Sequence, residues 1–115
     1  MIKTSYFANW RNFPKDFIPI AITRFPPKNW NGLVISALAP SKELLYSYKN
    51  LLIDNIIFEY KYIEELKDKG ITQEKILTHI PDKTLFLCYE KPEDFCHRHI
   101  LVKWLGFNSE ECELK

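Results

Sequence analysis

Leu85-Phe-Leu-Cys-Tyr-Glu-Lys-Pro-Glu-Asp-Phe-Cys-His-Arg-His99 is the stretch that decides the fold of this chain. Its first residues form an apolar run of strand length, and a polar turn follows. The last residues start a segment in which apolar side chains recur at helical spacing. Asp94 is a residue type that caps helices, so the sequence predicts a helix over residues 95–105 with Cys96 at its second position. Free backbone N–H groups and a partial positive charge at a helix start favour an anion or a reactive thiolate.

Four runs of strand length predict the sheet. The first covers the β-prone residues 2–7, and the others cover the mainly apolar residues 17–23, 33–38 and 84–89. The second and third runs are nearly continuous rather than alternating, which indicates strands buried on both faces, as in parallel sheets.

Helical spacing fills most of the chain between the third and fourth runs. It extends from Ser41 to Gly70 with a break near residues 50–55, and a shorter helix follows Thr72 over residues 73–79. Strands interleaved with helices predict an α/β fold, namely a small single domain over residues 1–115 with a mostly parallel sheet of about four strands and helices packed on it.

Composition excludes several classes of protein. The 115 residues carry a net charge of +1, which gives no global field for nucleic acid or membrane. No apolar run approaches the ~20 residues of a membrane helix, so no membrane partner is predicted. The three cysteines have no paired spacing, which predicts reduced thiols and a cytoplasmic location. Residues 1–31 hold five basic side chains and one acidic side chain, so that end favours an anionic ligand.

The carboxyl ends of parallel strands gather at one sheet edge, where ligands bind in open α/β sheets. Cys96 is the candidate nucleophile there, with Glu90 or His97 as the proton-transfer group. Arg98 and Arg24 are the candidate anion-binding residues. Cysteine is also among the most often buried residue types, so a packed, unreactive Cys96 is the competing interpretation.

The loops after the first two strands combine aromatic and basic side chains. Trp10, Arg11 and Trp30 are candidates for stacking against a nucleotide or single-stranded nucleic acid. Aromatic residues in short loops also simply cover the end of a sheet, and the sequence leaves both interpretations open.

No cofactor and no metal site is predicted. Cys88, Cys96, His97 and His99 are zinc ligand types, but the two cysteines are separated by seven intervening residues, not two to four, and Cys88 lies within a predicted strand. The two histidines point in nearly opposite directions on a helix, so they do not share one ion.

The segment Leu85-Phe-Leu-Cys-Tyr-Glu followed by Cys96-His-Arg98 resembles the Leu-Leu-Cys-x-Glu…Cys-His-Arg signature of the domain of unknown function 488 family. Ile22-Thr-Arg-Phe-Pro26 is similar to that family's Asp-Val-Arg-x-x-Pro without the acid, and the N-terminal run lacks its Gly-His pair. The resemblance implies a compact, divergent member of a bacterial and phage-associated family with an α/β fold and no established reaction. It also implies that one site is formed by Arg24, Glu90, Cys96, His97 and Arg98.

Three hypotheses for function follow. The first is a cysteine-dependent enzyme acting on an anionic small molecule or nucleotide. The second is a non-catalytic module that binds a nucleotide or nucleic acid. The third is a structural role, in which the Cys-His-Arg segment only locks the last helix onto the sheet.

Overall fold

The computed structural model describes residues 1–91 and 93–107. The strands are β1 (Ile2–Tyr6), β2 (Ile18–Ala21), β3 (Leu33–Val34) and β4 (Thr84–Cys88). The α-helices are α1 (Lys42–Lys49), α2 (Asn55–Asp68), α3 (Gln73–His79) and α4 (His97–Trp104). One short 3₁₀ segment, Phe7–Asn12, follows β1 directly. A second, Ser36–Leu38, lies just after β3.

The four strands form one sheet of order β1-β4-β2-β3, and every pairing is parallel. The prediction of a small α/β fold with a parallel sheet is therefore confirmed. β4 lies between β1 and β2, with Tyr6 opposite Cys88 and Ala21 opposite Leu87. The loops that leave β4 and its two neighbours consequently meet at one edge, as parallel topology requires.

The side chains of β4 explain why its sequence is apolar throughout. Alternate residues of a strand point to opposite faces. Phe86 and Cys88 belong to the large core under the helices, whereas Leu85 and Leu87 pack with Phe17 in a smaller core on the other face. Every residue of β4 is buried. Cys88 therefore faces the helices, and α4 begins on the same side of the sheet.

The two faces are covered by different kinds of structure. Helix residues and the segment before α4 cover the large core, while the smaller core is covered by the partly buried Phe7, Phe13 and Trp30. Helices were expected to pack on the sheet, and they do so over the large core. Over the smaller core, aromatic residues of the irregular segments take part in the packing.

Three helix starts follow the side-chain capping rule. Ser41 Oγ accepts a hydrogen bond from Leu44 N, and Thr72 Oγ1 accepts one from Lys75 N, as the sequence predicts. The predicted break divides the long helical segment into α1 and α2, and Asp54 caps α2.

The predicted start of α4 is wrong. The N-cap is Cys96 rather than Asp94, and the helix begins at His97. Phe95 packs between Tyr48 and Phe58, with ring centroids 5.1 and 5.3 Å away. Cys96 follows Phe95 directly, and its backbone is extended, with φ −149° and ψ 145°. Tertiary packing of Phe95 thus overrides the capping preference of Asp94.

The third predicted strand is too long. Only Leu33 and Val34 pair with β2, and both are exposed at the sheet edge. The chain then tightens into the 3₁₀ segment that buries Leu38. A run that is apolar throughout was expected to be buried on both faces, but this one supplies a short edge strand and a buried turn.

None of the helices within the described residues is long and apolar enough to cross a membrane. The acidic segment 109–115, the cysteine at position 112 and Pro92 lie outside the described residues.

Candidate functional site

A cavity of about 320 Å³ opens at the carboxyl edge of β2 and β4. Its polar lining comes from segments far apart in sequence: Thr23, Arg24, Lys49, Tyr89, Glu90 and His97. The first two follow β2, Lys49 ends α1, Tyr89 and Glu90 follow β4, and His97 begins α4. Glu90, His97 and Arg24, chosen from their strand-end and helix-start positions, therefore line the same cavity.

Cys96 lies directly behind this lining. Its Sγ is 3.8 Å from His97 Nδ1 and lies within hydrogen-bond distance of Glu90 Oε2, at 3.6 Å. The Cys96 side chain is only 3% exposed, whereas Glu90 is partly exposed and forms part of the cavity wall. A thiol, an imidazole and a carboxyl group thus meet at one point, with the carboxyl group closest to solvent.

The orientation of the imidazole is set by the neighbouring strand. His97 Nε2 donates a hydrogen bond to the carbonyl oxygen of Ile22 at 2.7 Å. Nδ1 is therefore the ring nitrogen turned toward Cys96. A backbone carbonyl holds the tautomer here, the task that a carboxylate performs in many catalytic histidine sites. The ring of Tyr62 packs edge-on against the imidazole, with centroids 5.6 Å apart.

Electrostatics favour a thiolate on Cys96. Burial raises the pKa of Cys96, but hydrogen bonds from Cys88 and His97 and the positive charges of His97 and Arg98 outweigh it and hold the pKa well below its usual value. Burial lowers the pKa of His97, yet its contacts with Cys96, Ile22 and Glu90 raise it overall. The two shifts reinforce each other, because each charged partner stabilises the other.

Glu90 is shifted toward its protonated form. Burial and the nearby negative charge of Cys96 raise the pKa of Glu90. The carboxyl group beside the thiolate is therefore suited to donate a proton, which is the role of a general acid.

The two predicted anion-binding residues occupy different places. Arg24 is exposed and lines the cavity. Arg98 is fully buried and does not line the cavity; its charge lowers the pKa of both thiols. Direct contact of Arg98 with an anion stays a prediction, while its effect on Cys96 follows from its position.

The predicted stacking residues lie at a second cavity of about 280 Å³, lined by Phe7, Trp10, Pro27, Asn29 and Trp30. Trp10 is 60% exposed, and the exposed Arg11 holds its guanidinium 4.9 Å from the Trp10 ring centre. Phe7 connects the two cavities, since its ring contacts both Trp30 at 5.5 Å and Tyr89 at 4.9 Å. Both sequence interpretations apply to Trp30, which packs on the smaller core and also lines this cavity.

Cys88 lies close to Cys96 in the structure, although their spacing in sequence argued against a shared site. The donor atoms of Cys88, Cys96 and His97 all lie within 4.8 Å of one another, and all three residues are buried. Two thiols and an imidazole are ligand types for a soft divalent ion such as zinc, so these are the described residues that could hold one. The separation in sequence does not prevent this approach, because Cys88 ends β4 and Cys96 is the N-cap of α4 on the same side of the sheet.

Three polar residues that line the first cavity were not predicted from the sequence. Lys49 adds a second exposed cation, and Tyr89 forms a wall by donating a hydrogen bond to the carbonyl oxygen of Phe25 at 2.6 Å. Thr23 carries a buried hydroxyl without a hydrogen-bond partner among the described residues. Thr23 immediately precedes Arg24 at a strand end, so its position was a usable signal. No local pattern indicates that the end of α1 reaches this edge.

Comparison with known proteins gives one match. The family model DUF488-N3a, described as the active DUF488-N3 subclade, matches residues 6–109. No curated protein and no solved structure matches the chain.

Proposed function

The chain belongs to the DUF488 family, and we propose that it is a cysteine-dependent enzyme acting on an anionic small molecule or nucleotide. The observation that carries this proposal is the position of Cys96 Sγ between His97 Nδ1 and Glu90 Oε2 at a cavity with two cationic side chains. The word "active" in the description of the matched subclade agrees with a catalytic role.

The arrangement supports nucleophilic displacement. The Cys96 thiolate attacks an electrophilic centre of the substrate, the new bond to sulfur forms, and the leaving group departs with the proton of Glu90. Water then attacks the adduct, gives a proton back to Glu90, and releases the thiolate. His97 stays protonated throughout and supplies the counter-charge. Net reaction is displacement of the leaving group by water, with Cys96 and Glu90 regenerated.

The lining indicates the charge of the substrate. Arg24 and Lys49 supply two cations at the cavity, and protonated His97 adds a third, against one acid whose pKa is raised. The unpartnered hydroxyl of Thr23 is available to a phosphate or carboxylate oxygen. An anionic group held by these side chains would place the reacting atom near Cys96.

A product screen tests the proposal. The protein would be incubated with nucleoside monophosphates, nucleoside diphosphates and sugar phosphates, and products would be followed by mass spectrometry. Cys96→Ser and Glu90→Gln should each reduce product formation by about 100-fold or more, as removal of a nucleophile or general acid does. Cys112→Ser is the matched control and should keep full activity. Unchanged turnover by Cys96→Ser would refute the proposal.

We also propose a second candidate, a non-catalytic module for nucleotides or nucleic acid, because Trp10 is exposed beside Arg11 at the second cavity. Stacking of bases on such aromatic residues is worth about 1–3 kcal/mol per base. This candidate expects Trp10→Ala to weaken binding of a short oligonucleotide and salt to weaken it further, while Cys96→Ser leaves it unchanged. Loss of oligonucleotide binding on Cys96→Ser would exclude it.

Both candidates fit a protein whose described cysteines are reduced, since Cys88 and Cys96 are free thiols. We propose a cytoplasmic location on that basis.

A further inference from the structure

Cys88 takes no part in the bond-making steps of the displacement proposed above, although it adjoins the nucleophile. Its Sγ is 3.4 Å from His97 Nε2, and its donor atom lies within 4.8 Å of those of Cys96 and His97. The side chain is 0% exposed. A buried thiol at the centre of a catalytic cluster, rather than an aliphatic side chain of similar size, calls for a chemical explanation.

The positions of the two cysteines suit a bond between them. Cys88 is the last residue of β4 and faces the helices, and Cys96 is the N-cap of α4 on the same side of the sheet. Of the described residues between them, Tyr89 and Glu90 line the cavity, and Tyr89, Lys91, Glu93 and Asp94 are exposed. A connecting loop on the surface can adjust as two sulfurs close a remaining gap, whereas two cysteines within packed elements could not.

The two thiols differ in the way that attacking and resolving cysteines differ. Cys96 contacts Glu90, which lines the cavity, and its Sγ is 3.8 Å from His97 Nδ1. Cys88 is fully buried in β4 and does not line the cavity, so an oxidant that enters from the cavity reaches Cys96 first. Oxidation selects the thiolate, and a neighbouring thiol then converts the sulfenic acid to a disulfide.

We propose that Cys96 and Cys88 form a disulfide when the protein meets hydrogen peroxide. The Cys96 thiolate attacks one peroxide oxygen, the O–O bond breaks, and the hydroxide released takes the proton of His97 to become water. Cys88 then attacks the sulfur of the Cys96 sulfenic acid, the S–S bond forms, and the thiol proton leaves with the hydroxyl group as a second water. Two electrons pass from the thiols to the peroxide.

Access to Cys96 favours a small oxidant. Glu90 and His97, which both contact Cys96 Sγ, line the cavity, and Glu90 is partly exposed. Hydrogen peroxide is little larger than water and polar, so it suits this path better than a bulky disulfide such as glutathione disulfide. The consequence for activity, a reversible block of the nucleophile, rests on the proposed function; the bond itself does not.

The experiment uses the Cys112→Ser protein, so that the cysteine outside the described residues does not contribute. The reduced, chelator-treated protein receives hydrogen peroxide, is denatured with N-ethylmaleimide, and is analysed by mass spectrometry. We expect loss of two hydrogens and no maleimide addition. Proteolysis after Glu90 or Glu93 should leave two peptides joined by the disulfide, and dithiothreitol should separate them.

Cys88→Ala in the same background is the matched control. Without a resolving thiol, Cys96 should gain two oxygens as sulfinic acid, and dithiothreitol should no longer restore it. Gain of oxygen without joined peptides in the Cys112→Ser protein would overturn the proposal. So would full maleimide labelling of both cysteines after peroxide, as expected if a bound ion protects them. Joined peptides together with turnover that survives oxidation would uphold the disulfide and refute the proposed catalytic role of Cys96.

Discussion

Replacing His97 with asparagine should sharply slow alkylation of Cys96 at neutral pH. The imidazolium lies 3.8 Å from Cys96 Sγ and is one of the groups that lower the pKa of the thiol against the effect of burial. Asparagine is polar and can still donate a hydrogen bond, but it brings no charge. Without that charge, the effect of burial is less opposed and raises the pKa of Cys96, so the thiol retains its proton to higher pH.

The magnitude follows from the distance. Two unit charges about 4 Å apart interact with about 4 kcal/mol at an effective dielectric constant of about 20. At about 1.4 kcal/mol per tenfold change, the thiolate fraction falls by up to roughly a thousandfold. A more basic thiolate is intrinsically more nucleophilic, which recovers a factor of about 20. The net loss in alkylation rate at neutral pH should therefore reach roughly 50-fold.

The assay is the rate of iodoacetamide addition to Cys96 as a function of pH, read from the mass of its peptide. In the unaltered protein the rate should stay near its maximum as the pH falls below about 8.5, where a free thiol already loses reactivity. In the His97→Asn protein the rate should decline at higher pH than in the unaltered protein. The matched control is His79→Asn, which removes an exposed histidine on α3. The reasoning fails if both variants share one pH profile, or if the unaltered Cys96 behaves as a free thiol.

Three further predictions concern stability, each measured by urea denaturation. Tyr62→Phe removes a buried hydrogen bond of 2.6 Å to a backbone carbonyl and should lower the free energy of unfolding by about 1–2 kcal/mol, whereas the exposed Tyr60→Phe should leave it nearly unchanged. Leu51→Gly should raise the free energy of unfolding by about 0.5–1 kcal/mol, because Leu51 is 90% exposed and its φ of 59° is a left-handed conformation that glycine adopts without strain. Leu52→Gly should not raise the free energy of unfolding. Arg98→Ala should lower it by roughly 3–5 kcal/mol, because a buried cation that acts on two thiols is removed; a stable Arg98→Ala protein would argue against the structural interpretation of the Cys-His-Arg segment.

The sequence predicts the central strand and the strand-end site because their signals are local. A fully apolar run marks a strand buried on both faces, and β4 is such a strand. Residues that follow parallel strands share an edge, which is why the sequence alone groups Glu90 with Arg24. The face taken by Cys88 could not be predicted in the same way, since both faces of β4 are apolar. It depends on which face the helices cover.

The parts of the site that depend on packing were missed or misplaced. The start of α4 moved from Asp94 to Cys96 because Phe95 reaches two aromatic rings of other helices, a contact without a local signature. Lys49 joins the cavity because α1 ends near β2, which depends on the length and angle of the helix. Local propensity is a weak prior where a buried aromatic side chain competes with it.

The distribution of positive charge favours a small anionic ligand over a long nucleic acid strand. Arg24 and Lys49 approach one cavity from different elements, so their charges converge on a point. Arg11 lies over the ring of Trp10 beside the other cavity. A strand-binding surface needs basic groups along a track, since affinity grows with the number of phosphates neutralised. Converging cations instead suit a single phosphate or carboxylate group, and the neighbouring aromatic cavity offers a place for one base attached to it. Of the ligands proposed above, a mononucleotide would therefore match both features, whereas a long strand would place few of its phosphates near these two cations.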